Sequence, residues 1–384
     1  MTMTETNLRA NVIFGGGSID ALGRYNGRSI MIVTDKIMVK LGIVDSVKKI
    51  LGDSSVWVYD EVEPDPTLEH VIQCCRFFNS KNAEVLVALG GGSAIDTAKA
   101  VILVIEESRK CKVEFVAVPT TSGTGSEVTD YTVISDKDAG RKIPLADSRM
   151  VPDLAVLDYK LTKSVPPAVT AFTGMDVITH ALEAYVARDG NMISDAHAEK
   201  ALKLAFPGVI AAYRNGDDDT ARENMMMASY LAGLAFTKAG LGICHSIAHA
   251  VGATFKLPHG MANAIALPHV VAFNAGLDVP FGTDKSVTAA RYAEVARLIG
   301  LPNAGVRLSV QYLVREIETL NAKMGIPANL VQAGVSAANY IENRQQIIRS
   351  ALHDMCTRAN PVEPDAGDIG KLLDRVFGRS VRIS

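Results

Sequence analysis

The run "SVPP" at residues 164–167 divides the chain into two different patterns, and that division constrains the fold more than any other feature. Before it, short apolar runs rich in β-branched residues alternate with amphipathic stretches. The runs "SIMIVTD", "SVWVYDEV", "EVLVALG", "FVAVPT" and "LAVLD" are bounded by Gly, Pro or Asp, as buried parallel strands should be. Between them, Lys36–Leu51, Thr67–Ser80 and Ser93–Glu107 carry helical periodicity. Alternation of this kind predicts a parallel sheet covered by helices. After "SVPP" the strand pattern stops. Ala168–Ala187, Ser194–Tyr213, Thr220–Thr237 and Leu241–Lys256 all read as helices. The expectation is an α/β domain over residues 1–163 and an all-helical domain over 164–384. No solenoid repeat, low-complexity linker or heptad run interrupts it.

Bulk properties narrow the function classes. With 48% hydrophobic residues in 384, both halves can bury a core. A formal charge of −3 leaves no basic stripe, which argues against nucleic acid as a partner. No run of about eighteen apolar residues occurs, so no membrane span is expected. The opening "MTMTETNLRA" is polar and unlike a secretory signal. Five cysteines form no CxxC pair, which suits reduced thiols in a cytoplasm.

Two loops in the first half carry ligand-binding chemistry. In "EVLVALGGGSAID" (84–96) a buried strand enters a helix through Gly90, Gly91, Gly92 and Ser93. Glycines there let the backbone approach a pyrophosphate, and the new helix offers free N–H groups. The spacing is not GxGxxG, and the same residues also describe a tight strand–helix turn. A near-copy, "FGGGSID" (14–20), follows only the short "NVIF" and reads as a turn. In "FVAVPTTSGTGSEVT" (115–129), Thr120, Thr121, Thr124 and Ser126 can donate to phosphate or ribose oxygens. Two such loops at carboxyl ends of strands favour a nucleotide site, because open α/β sheets bind ligands there. Asp35, ending "SIMIVTD", adds an acid able to bond ribose hydroxyls, although it precedes the glycine turn.

The second half carries metal-ligand chemistry. "CHSIAHAVGATFKLPHG" (244–260) holds three of the eight histidines. His245 and His249 share a helix face at a spacing of four, and His259 follows a Leu–Pro step that starts the next helix or turn. "FTGMDVITHALEAY" (172–185) places Asp176 and His180 four apart as well. Each pair alone also describes a helix-stabilising contact. Together, Asp176, His180, His245 and His259 make a first shell for a divalent first-row ion. His249 is left as a fifth ligand, an orienting group or a proton carrier. A nucleotide and a metal permit hydride transfer to an alcohol carbon, and equally a lyase or hydrolase reaction.

At "GGGSAIDTAKA", "PTTSGTGSEVT", "GMDVITHALEAY", "AGLGICHSIAHAVG" and "LPHGMANAIALPHVVAFN" the chain resembles the iron-containing (group III) alcohol dehydrogenases. The match runs in order over nearly the whole chain, and the 1-propanol dehydrogenases of propanediol utilization are the branch it looks most like. The resemblance implies a dehydroquinate-synthase-like fold: an α/β dinucleotide-binding domain, an all-α metal-binding domain, and an active site in the cleft between them. It implies iron(II) on Asp176, His180, His245 and His259, with His249 relaying the alcohol proton. It implies NAD(H) contacts at Asp35, Gly91, Gly92, Ser93, Asp96, Thr120, Thr121, Thr124 and Ser126, and later ones at Lys142 and Leu161. An acid at 35 favours NAD, since it repels the extra phosphate of NADP. Phe236 matches an aromatic of the substrate pocket. Tyr131 stands where lactaldehyde reductase carries a small amide, which favours a simple aliphatic aldehyde such as propanal. The implied protein is a homodimer or larger, cytoplasmic or enclosed in a bacterial microcompartment. The competing readings are a zinc-dependent polyol or lactaldehyde oxidoreductase of the same fold, since these donors also suit Zn2+, and an NAD-binding regulatory protein with a vestigial site.

Overall fold

The computed structural model describes residues 10–64, 66–136, 141–279, 282–283 and 286–378. The chain separates into two compact units, residues 1–165 and 166–384.

The first unit is built of both strands and helices. They are β1 (Asn11–Phe14), β2 (Ser29–Val33), α1 (Lys36–Lys40), α2 (Ile43–Ile50), β3 (Ser55–Tyr59) and α3 (Leu68–Lys81). β4 (Val85–Gly90), α4 (Gly92–Arg109), β5 (Glu114–Pro119), β6 (Tyr131–Asp136), β7 (Arg141–Ala146) and β8 (Leu154–Leu157) follow. Six strands form one sheet in the order β1-β8-β5-β4-β2-β3, every pairing parallel. Side chains alternate faces along it. Met31, Val33, Leu86, Ala88, Phe115 and Ala117 pack with α3 and α4. Ile30, Ile32, Val85, Val87, Leu89 and Val116 pack on the opposite face with α2. Both faces are covered, which is why these strands read as unbroken apolar runs.

Three local features depart from the sequence reading. The helix expected over Lys36–Leu51 is broken at Gly42, whose φ of +72° ends α1 and starts α2. "NVIF" is a true edge strand, paired with β8 in register from Asn11↔Leu154. β6 and β7 form an antiparallel hairpin that the polar alternation of "YTVISDKDAGRKIPLA" did not announce.

Among its described residues the second unit has helices and no strand. Its helices are α5 (Pro167–Val186), α6 (Met192–Arg214), α7 (Asp219–Ala239), α8 (Ile243–Phe255) and α9 (His259–Asn274). α10 (Val287–Leu298), α11 (Val306–Lys323), α12 (Ala337–His353) and α13 (Ala366–Phe377) complete it. They share one apolar core built largely of Ala, Leu, Val and Ile. α5, α8 and α9 contribute Met175, Ile178, Ile247, Val251, Ile265 and Val271 to it. No single described helix is long and apolar enough to cross a membrane.

Candidate active site

Three helices of the second unit bring the metal-ligand candidates together. Asp176 and His180 lie one turn apart on α5 and are 3% and 5% exposed. His245 is on the first turn of α8 and 1% exposed. His259 is the first residue of α9, after an extended Pro258. Asp176 Oδ1 is the point of convergence. It lies 4.0 Å from His180 Nε2, 3.6 Å from His245 Nε2 and 3.4 Å from His259 Nε2. Donors about 2.0–2.2 Å from one ion at tetrahedral angles stand roughly 3.3–3.6 Å apart. The ligand atoms of Asp176, His180 and His245, all within 4.8 Å of one another, suit a single cation, and His259 Nε2 stands beside Asp176 as a fourth donor. His245 Nε2 is a buried nitrogen with no hydrogen-bond partner among the described residues. A buried unpartnered donor aimed at a carboxylate and two further imidazoles fits a metal ligand better than a packing role.

Local chain geometry explains how α8 reaches this position. Gly240, at φ +78°, ends α7, and α8 then leaves at 107° to it. The first N–H groups of α8 are capped from elsewhere: Ile243 N donates to Asn360 Oδ1 at 3.2 Å, and Cys244 N to Glu183 Oε1 at 2.7 Å. A Cβ on Gly242 would stand 2.7 Å from both accepting oxygens, so glycine makes room for the two caps. α9 approaches α5 with equal economy, since a Cβ on Gly260 would fall 2.1 Å from the Phe172 carbonyl oxygen.

The sequence reading missed the groups that hold these ligands. His245 Nδ1 donates to Glu183 Oε2 at 2.5 Å, and Glu183 is 2% exposed. Burial alone would lower the His245 pKa, but the nearby Asp176 and Glu183 carboxylates outweigh it and bring it up to about 9. Burial disfavours the Asp176 carboxylate too, and the surrounding histidines more than reverse that, leaving its pKa far below the usual range. Asn263 Nδ2 donates to Asp176 Oδ1 at 2.8 Å and lies 3.1 Å from His259 Nε2, tying α9 to α5. Glu183 had a local signal, since Asp176, His180 and Glu183 follow helical spacing on one face of α5. Asn263 had one too, four residues after His259.

His249 shares the face of α8 with His245, and its ring lies 5.3 Å from that of His259. Its Nδ1 donates to Asp354 Oδ2 at 2.8 Å. Burial would raise the Asp354 pKa, but the bond to His249 and the Cys356 backbone N–H hold it down at about 2. Asp354 is far from His249 in sequence, so no spacing rule could pair them. The Phe236 ring lies 4.6 Å from that of His180.

In the first unit, the strand order reverses between β2 and β4, and ligands of open sheets bind at such a reversal. Asp35 follows β2, and the glycine turn follows β4. A Cβ built on Gly90 would lie 3.6 Å from Asp35 Oδ2, so the acid and the turn are neighbours in space despite their order in sequence. Asp35 Oδ1 caps α1 by accepting from Ile37 N and Met38 N. The 18-residue α4 begins without a side-chain cap, which leaves its first N–H groups for a ligand. Cβ atoms on Gly91 and Gly92 would meet Thr121 Oγ1 at 3.2 Å and Thr124 Cγ2 at 2.7 Å. The two loops therefore form one bare-backbone cradle that fits a pyrophosphate. Ser93, Thr121 and Thr124 are half-buried along it. Thr120 and Ser126 are buried, and Ser126 Oγ donates to Asp96 Oδ1 at 2.6 Å, so that pair braces the loop against α4.

The other residues that the resemblance named have these settings. Leu161 packs on the α2 side of the sheet. Tyr131 opens β6, and its carbonyl accepts from Lys99 Nζ at 2.8 Å. Lys142 pairs with Ser135 in the hairpin, and its side chain lies outside the described structure.

Comparison with known proteins covers the whole of both units. Residues 10–159 match a family described as "Iron-containing alcohol dehydrogenase", and residues 170–377 one described as "Fe-containing alcohol dehydrogenase family, C-terminal". The 1-propanol dehydrogenase PduQ of Salmonella typhimurium is 39% identical, over 98% of this chain and all of its own. The NADPH-dependent butanol dehydrogenase of Clostridium saccharobutylicum is 36% identical over 98% of each chain. Among solved structures, an iron-containing alcohol dehydrogenase from Thermococcus thioreducens superposes with a TM-score of 0.88 at 28% identity, covering 98% of this chain and all of its own.

Proposed function

The chain belongs to the iron-containing alcohol dehydrogenase family, and from that premise we propose that it interconverts short aldehydes such as propanal and their primary alcohols, using NAD(H) and one iron(II). The observation that carries the reading is the convergence of His180, His245 and His259 on Asp176 Oδ1. Iron(II), held by these four residues, would supply a Lewis acid for the charge that develops on the substrate oxygen, and a bound nicotinamide would supply or accept the hydride. Everything else is done by the chain's own groups. Glu183 keeps the Nδ1–H tautomer of His245 and turns its Nε2 toward Asp176. His249, with Nδ1 held by Asp354, presents Nε2 to give or take the alcohol proton. Gly91, Gly92 and the start of α4 hold the pyrophosphate, and Asp35 the ribose, which selects NAD over NADP. Phe236, beside His180, walls the pocket on the second unit, and the family pattern at Tyr131 favours simple aliphatic substrates.

The direct test is oxidation of NADH by propanal with anaerobically purified protein, with and without added iron(II). Turnover that depends on iron and prefers NADH over NADPH is expected. Turnover restored only by zinc, or equal use of NADPH, would overturn the metal or the cofactor assignment respectively.

A further inference from the structure

We propose that Asp354 is a positioning residue for proton transfer: it fixes the tautomer and ring orientation of His249, so that Nε2 is the nitrogen offered to the substrate oxygen. The proposal rests on the reading of His249 as the proton carrier. Asp354 lies at the end of α12, and both of its oxygens are assigned. Oδ2 accepts from His249 Nδ1 at 2.8 Å. Oδ1 accepts from Cys356 N at 2.9 Å and from Ser246 Oγ at 3.4 Å. Ser246 is itself held by Thr357 Oγ1 at 2.8 Å. The carboxylate is therefore fixed from two sides before it meets the imidazole. A carboxylate accepts only, so His249 carries its proton on Nδ1 whenever the ring is neutral. The proton then moves between His249 Nε2 and the alcohol oxygen, the O–H bond breaking as the N–H bond forms, and reverses in aldehyde reduction.

A purely structural role also has support, since Asp354 caps the turn at Met355–Ala359. Asp354→Asn separates the two. The amide oxygen can still cap Cys356 N, but the amide N–H₂ then faces His249 Nδ1 and forces the proton onto Nε2. We expect kcat for propanal reduction to fall by about 10²-fold or more, the range of lost general acid–base catalysis, with iron content and the NADH dissociation constant unchanged. Asp354→Glu should recover part of the loss. In a His249→Ala background, Asp354→Asn should cost nothing further, because a residue that acts through another adds nothing once that other is gone. A further loss in that background, or a loss of iron or NADH binding in the single variant, would overturn the positioning role. Undiminished kcat in Asp354→Asn would overturn it too. Failure of the underlying reading looks different: His249→Ala alone would then retain wild-type kcat.

Discussion

Glu183 acts with both oxygens, capping α8 through Cys244 N and holding His245 through Nδ1. Glu183→Gln keeps an acceptor for one partner but removes the charge that makes His245 a strong donor. Iron affinity should fall by about 10–100-fold, read by chelator competition, with the far-UV circular dichroism of the protein unchanged. Wild-type affinity in that variant would mean the pair only braces α8. His259→Ala deletes a proposed ligand and should abolish iron-dependent turnover while leaving NADH binding, followed by fluorescence, intact. Turnover at the wild-type rate would remove His259 from the ligand set. The cluster of Asp176, His180 and His245 was legible because spacing of four on helices is visible in the letters. Glu183 follows the same helical spacing and was equally visible. Asp354 was not visible, because its partner arrives through tertiary packing alone.

At the level of elements, α9 meets α5 only because residue 260 has no side chain. Gly260→Ala would place a carbon 2.1 Å from Phe172 O and must push the first turn of α9, with His259 on it, away from Asp176. Overpacking of this kind costs about 1–3 kcal/mol, so a lower melting temperature and reduced iron content after gel filtration are expected. No change in either would show that the helices yield elsewhere. In the first unit, α4 carries the buried Lys99, whose Nζ donates to Thr129 Oγ1 and Tyr131 O. Burial brings its pKa down to about 8, and burial brings that of Glu127 up to about 7. The folded unit thus holds the Glu127 proton more tightly than the unfolded chain and the Lys99 proton less tightly. Stability should fall as pH rises from about 4.5 to 7 through Glu127, and rise from about 8 to 10.5 through Lys99. Denaturant unfolding across that range should lose its acid limb in Glu127→Gln and its alkaline limb in Lys99→Met. Limbs that persist in the variants would assign the linkage to other groups. The sheet strands were legible as elements because both faces are buried. The break at Gly42 was not, since apolar spacing runs on through a residue that only its backbone angle sets apart.

For the whole molecule, each unit has its own core, and each carries one of the two proposed ligand sites. A ligand stabilises what it binds, by about 2.7 kcal/mol at a hundred times its dissociation constant. In hydrogen exchange, iron should therefore slow amides of α5, α8 and α9, and NADH those of α4 and the 120–126 loop. Iron protection confined to the first unit would refute the ligand assignment. The shift from strand–helix alternation to helices alone was legible at "SVPP", because each pattern has its own period. The caps on α8 were not, and they bear on how the protein is made. Asn360 and Asp354 reach back to α8 across more than a hundred residues of chain. During synthesis, all four proposed metal donors are made before Asn360, which caps Ile243 N, and Asp354, which orients His249. A released chain ending before residue 354 would carry the donors without that support, so metal loading should follow chain completion rather than accompany it.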